Sequence, residues 1–260
     1  MKQRVYIFLM LSAVLVFCGC SRNMPEPTET IAESSERSTE AMQEISQEET
    51  AEAVHSEFII PGVGSDEVIR YFSEVCLDAE MINSGNPTVL QKWQAPIQYM
   101  IYGDPTDEDL ATIHGMEAWL NTIEGFPGMQ QTQDAVLANL RIHFCSEQEM
   151  MDLMGEQFVG LDGAVTFWYE QDVIFDAIIC CRADLDQHLR NSVILEELYN
   201  GLGPVQDTEL RKDSIIYAEY AEPQRLTQMD ELILRLLYHP GLICGMDADQ
   251  CAEMIRQLYK

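Results

Sequence analysis

The sequence predicts an α+β domain, a small mixed sheet packed against helices, at the end of a long polar lead. Three observations predict it. Apolar residues recur at helical spacing behind capping residues in several segments. Short alternating or apolar runs fall between those segments and read as strands. Two of these runs, residues 164–169 and 173–181, flank Glu170-Gln171-Asp172 and read as a hairpin placed before a central helix.

Each element follows from its residues. Ser65 and Asp66 cap a helix expected to reach about Met81, with Val68, Ile69, Phe72, Val75 and Cys76 on one face. Ser84-Gly85-Asn86-Pro87 ends it. Residues 95–102 alternate, so Ile97, Tyr99 and Ile101 share a face of a strand. Residues 106–124 form a second helix with an acidic first turn, closed before Gly125. Residues 139–145 are the next strand. Ser146 opens a short helix, with Glu149 completing a capping box. After the hairpin, Asn191 or Ser192 caps a helix ending near Gly201. Thr227 caps another through Leu237, and Asp247 caps the last.

The chain divides into three parts. Residues 1–19 carry Lys2 and Arg4, then an apolar run too short to span a membrane comfortably, then Phe17-Cys18-Gly19-Cys20. This order reads as a secretory signal, and Gly19-Cys20 resembles a bacterial lipobox. The resemblance implies cleavage before Cys20, lipidation of its sulfur and a place at a bacterial cell membrane outside the cytosol. Residues 20–57 are rich in Glu, Ser, Thr, Ala and Gln. With ten Glu against Arg22 and Arg37, and no aromatic residue, they cannot bury enough apolar surface to order themselves. They read as an acidic, disordered tether. Residues 58–260 hold every tryptophan and suit one domain.

The net charge of −29 makes nucleic acid and anionic lipid headgroups poor partners. Of eight cysteines, Cys18 leaves with the signal and Cys20 takes lipid. Cys76, Cys145, Cys180, Cys181, Cys244 and Cys251 remain, an even number that suggests disulfides in an exported domain, with fifteen complete pairings open. Adjacent Cys180 and Cys181 would point to opposite faces of a strand. No CxxC pair is present, which removes the zinc ribbon and the thioredoxin-type site.

The segment Glu196-Glu197-Leu198-Tyr199-Asn200-Gly201-Leu202-Gly203-Pro204-Val205-Gln206-Asp207-Thr208 carries the functional argument. It resembles the active-site helix and turn of metzincin metalloproteases. There, histidines four apart share a helix face and one zinc, a Glu beside the first activates water, and a Gly turn brings a third histidine. In that register Glu196 stands at the first histidine, Glu197 at the general base, Asn200 at the second histidine and Gln206 at the third. Ser214-Ile215-Ile216-Tyr217 resembles the Met-turn, with Ile216 at the methionine position. Residues 226–238 resemble the closing helix. The same stretch resembles the bacterial family DUF2927 through Glu196, Glu197, Leu202, Gly203, Asp207, Ser214, Ile215, Leu226, Thr227, Asp230, Leu237, Tyr238, Gly245 and Met246. That family brings no established activity.

The chemistry of these positions sets the functional expectation. Asn200 and Gln206 are neutral amides and poor zinc ligands, and no two of His143, His188 and His239 are four apart. Neither a metal nor another cofactor is expected. The expected protein is a lipid-anchored extracytoplasmic domain of metzincin-like fold, catalytically degenerate, binding a peptide or protein partner by strand addition. Two alternatives stand beside it. One is a zinc-dependent peptidase with unorthodox ligands and Glu197 as base. The other is a structural component of the envelope.

Overall fold

Six strands form one sheet in the computed structural model, which describes residues 58–77, 89–219 and 221–260. The expected lipidation site Cys20, the signal and the tether lie outside the described residues. The elements run α1 (Ser65–Leu77), β1 (Lys92–Trp93), β2 (Ile97–Tyr102), α2 (Asp107–Leu120), β3 (Met129–Gln131), β4 (Leu140–Cys145) and α3 (Glu147–Met154). A 3-10 turn (Glu156–Phe158) follows, then β5 (Gly163–Glu170), β6 (Val173–Arg182), α4 (Gln187–Gly201), α5 (Gln228–Tyr238) and α6 (Ala248–Leu258). Strands β3, β2, β4 and β6 are successive parallel neighbours, and β1 runs parallel to the start of β6. β5 is antiparallel to β6. The protein is thus α+β, with a mostly parallel sheet flanked by helices.

The hairpin has a local cause. Gln171 and Asp172 both take positive φ, 50° and 63°. Two successive left-handed residues match the twist of the strands that they join. A bulge between Trp168 and Tyr169 then shifts the register from Trp168↔Asp176 to Tyr169↔Ile174.

The expected capping box forms at Ser146–Glu149, and the expected caps Thr227 and Asp247 close boxes with Asp230 and Gln250; a fourth box, Thr106–Asp109, opens α2. α2 stops at Leu120, short of the expected Glu124, because Asn121 turns away to pair with the backbone of Met129 in both directions at 2.8 Å. β1 and β3, which the sequence reading did not anticipate, are two and three residues long. Periodicity has no purchase on such lengths. α1 is described to Leu77; the rest of its expected length lies outside the described residues.

α4 begins at Gln187, not at Asn191 or Ser192. Asp186 is its cap and accepts from the N–H groups of His188 and Leu189. The earlier start is held by Arg190, which is buried and donates to Asp109 Oδ1 at 2.9 Å, to the carbonyls of Ala183 and Leu185, and to Gln187 Oε1. Asp109 lies at the first turn of α2, so one ion pair fastens the N-termini of two helices.

The two sheet faces differ. Val165, Phe167, Ala177, Ile179 and Cys181 belong to the main core, while Cys180, Cys145 and Ala164 pack with Met150 and Phe158 in a smaller cluster under α3. Cys180 and Cys181 therefore face opposite sides, as alternation requires. The expected disulfides are absent. Cys76, Cys145, Cys180, Cys181, Cys244 and Cys251 are all free thiols. The register explains one case. His143 lies opposite Cys180 and Cys145 opposite Arg182. Cys145 and Cys180 are thus two residues out of step, and strand spacing puts their Cα atoms roughly 8 Å apart. That is too far for a disulfide. Their thiols share a hydrogen bond instead, which draws the Cys145 thiol down and pushes the Cys180 thiol up.

The Asp109–Arg190 pair makes stability depend on pH. Burial raises the Asp109 carboxyl, but donation from Arg190, the Thr106 N–H and Gln187 outweighs it and leaves the group below its ordinary value. A depressed carboxyl stabilises fully above its unfolded value, about 3.9, and loses that contribution as pH falls through the folded value. Asp109→Asn strands a buried guanidinium and is expected to cost about 3 kcal/mol in urea unfolding at pH 7. The gap to wild type stays constant down to about pH 5 and narrows below about pH 4.

Candidate functional site

The site is built on the second half of α4, which is enclosed on every side. Each residue from Ser192 to Gly201 is buried. A helix end buried in this way needs partners for its last carbonyls. Trp93 Nε1 donates to Gly201 O at 2.9 Å, and Tyr238 Oη donates to Leu202 O at 2.8 Å. The unanticipated β1 thus has a function in the fold, since it brings Trp93 to this helix end. Its neighbour Lys92, also buried, donates from Nζ to the carbonyl of Leu237 in the last turn of α5 and to that of Leu242 in the loop beyond it.

Glu196 and Glu197 are 5% and 3% exposed. Carboxylates are almost never buried so deeply without strong local reasons, because desolvation penalises the charged form. Neighbours on a helix point about 100° apart. On this helix both directions are interior. Asn200 is fully buried, and Gln206 is half-buried beyond the turn.

Glu197 meets the start of β5. A Cβ placed on Gly163 would lie 2.4 Å from Val193 Cγ1, 3.0 Å from Glu197 Cγ and 3.1 Å from Glu197 Oε1. Only glycine permits α4 to approach the strand this closely. Among the described strands β5 pairs with β6 alone, so it is the outer strand on this side of the sheet. Arg182 N donates to Asp162 O, which makes that couple a hydrogen-bonded pair. By alternation, Gly163 and Val165 direct their backbone groups away from β6.

The chain after α4 turns back sharply. Gly203 has φ of +133°, and a Cβ there would meet Gln91 O and Leu237 Cδ2 at 2.9 Å each. The N–H groups of Val205 and Gln206 then donate to Val75 O in α1. Thr208 Oγ1 donates to Glu74 at 2.7 Å, and Thr208 forms an isolated parallel bridge with Tyr217. Ile216, in the segment that resembles a Met-turn, is fully buried.

Asp230 organises this loop from one buried point. Its Oδ1 accepts from Ser214 Oγ at 2.7 Å, and its Oδ2 accepts from the N–H of Ile215 and from the N–H and Oγ1 of Thr227. Tyr71 Oη of α1 donates to Ser214 Oγ at 2.7 Å. Burial first, then the Asp230 charge, push the Tyr71 phenol upward, so it keeps its proton and acts as a donor. Asp230 and Tyr71 were not singled out as site residues from the sequence. The visible signal was Thr227-x-x-Asp230, which reads as a helix cap and is one, but which also anchors the preceding loop.

The histidines are engaged elsewhere. His188 is in the first turn of α4, mostly exposed and 3.5 Å from Glu222. His143 stacks on Tyr102 with centroids 4.5 Å apart. His239 ends α5 and meets Phe58 edge-on. Among the described residues, no three His, Cys, Asp or Glu are grouped to hold a metal ion. The three positions that the metzincin resemblance aligns with zinc ligands supply one carboxylate and two amides, Glu196, Asn200 and Gln206. That donor set does not fit zinc.

A family model described as a protein of unknown function, DUF2927, matches residues 65–257, which spans α1 to the penultimate residue of α6. No curated protein matches the chain.

The close approach at Gly163 is directly testable. Gly163→Ala is expected to destabilise by about 1–3 kcal/mol through overpacking against Val193. Adding Val193→Ala should recover part of the loss, read as non-additivity in urea midpoints.

Proposed function

The chain belongs to the DUF2927 family, and from that premise we propose a membrane-anchored extracytoplasmic lipoprotein with a metzincin-like domain that binds a peptide or protein partner without zinc catalysis. The observation that carries this reading is the burial of Glu196 and Glu197 where α4 meets the outer strand β5, with amides at the other two metal-site positions. The sharp Gly203 turn directly after α4 and the burial of Ile216 support this reading. The amides remove the means of activating water, while the helix–strand junction stays in place.

An extended partner suits this junction. A strand laid beside β5 would use backbone hydrogen bonds for affinity and alternate side chains for specificity. Such a ligand has a signature of period two. N-methylation at alternate positions should weaken binding, while methylation of the intervening amides should not.

The test uses the full-length chain and a positional-scanning library of extended peptides, with added zinc in a parallel series. Saturable retention without cleavage, with period-two sensitivity to N-methylation, is the expected result. Zinc-dependent hydrolysis that stops on Glu197→Gln would establish the peptidase instead. No retained peptide under any condition would leave the structural envelope component. Lipid anchoring is read separately. Metabolic labelling with palmitate should mark the wild-type chain and disappear with Cys20→Ser.

A further inference from the structure

A groove of 530 Å³ lies where residues 211–213 and the start of α5 meet Ile60. Its volume is in the range of small-molecule sites. Arg211 and Arg225 line it together with Ile60, Leu226 and Met229. Positive groups are scarce in this chain, 15 Lys and Arg against 44 Asp and Glu, so two guanidiniums at one groove stand out.

Arg211 is held by two long hydrogen bonds to carboxylates, and Arg225 by none among the described residues. Arg225 is exposed and forms no ion pair among the described residues. Arg211 reaches Glu67 and Asp213 only at 3.3 Å each, and its buried Nε has no hydrogen-bond partner. The planar fork of arginine suits a carboxylate, which can accept two parallel N–H bonds. The apolar side chains beside it suit a hydrocarbon body.

We propose that this groove binds a small organic carboxylate with an apolar body, held by Arg211 and Arg225 and packed on Ile60, Leu226 and Met229. The proposal is independent of the α4 cleft and of peptide binding. A singly charged ligand is favoured over a dianion because Asp213 and Glu231 also line the groove, so a second negative charge would meet carboxylates as well as guanidiniums. A phosphate would meet those carboxylates with more charge and leave the apolar wall unfilled. The overall charge of −29 opposes polyanions further.

The probe is 4-methylvalerate, titrated calorimetrically into the full-length chain, with acetate and inorganic phosphate as comparisons. Saturable binding of 4-methylvalerate is expected, at least about tenfold tighter than acetate or phosphate. Arg225→Gln should weaken it about tenfold or more and Arg225→Glu should abolish it, both with unchanged unfolding midpoints, since Arg225 is exposed and has no ion pair among the described residues. The proposal is overturned if 4-methylvalerate does not bind, if phosphate binds as tightly, or if Arg225→Gln binds like wild type.

Discussion

The approach of α4 to the first residue of β5 is the constraint on which the rest depends. Gly163 has no side chain, so Val193 and Glu197 occupy the space that a Cβ would take. The helix can then lie flat on β5 and β6 and bury every residue of its second half. The same contact brings Glu197 to the outer strand. Fold and candidate site thus share one requirement, and Gly163 cannot be changed for one without disturbing the other.

A second requirement falls on the long connection from α4 to α5. Residues 202–227 contain neither helix nor regular strand among those described. A stretch of that length in a compact domain needs its own anchors. It has three. Gly203 makes the turn in a space closed by Gln91 and Leu237. Thr208 ties to Glu74 and bridges to Tyr217. Asp230 gathers Ser214, Ile215 and Thr227, and Tyr71 joins them from α1. Removing the Asp230 carboxylate would leave several buried donors unsatisfied at once, each costing about 1–3 kcal/mol. The connection is therefore a structured part of the domain, and it positions Gln206 and Ile216 relative to α4.

How much of this was legible depended on the range of the cause. The Ser146 capping box and the Thr227 cap are local, and the sequence reading found them; at Thr106 it found the helix start and its acidic first turn but not the box. The hairpin was legible because its strands are long and its turn is short. β1 and β3 were not, because two or three residues carry no period. The start of α4 was misplaced because Asn191 and Ser192 look like caps, while the real cap, Asp186, works with an Arg190 whose partner lies about eighty residues earlier. The disulfide expectation rested on an even count, and a count says nothing about register. At the site, Glu196, Glu197 and the Gly203 turn were picked out by pattern, but their burial was not visible, nor was the contact between Glu197 and Gly163.

The sequence by itself determined the α+β class, the order of the main helices and strands, the family, and the chemical character of Glu196, Glu197, Asn200 and Gln206. These follow from local propensity, pattern and the identity of single side chains. Only the tertiary structure decided which strand lies outermost, that adjacent Glu196 and Glu197 are both interior, and that Arg211 and Arg225 line one groove. Those are relations between segments far apart in the chain. They are set by packing and by satisfaction of buried polar groups, and no short window of residues contains them.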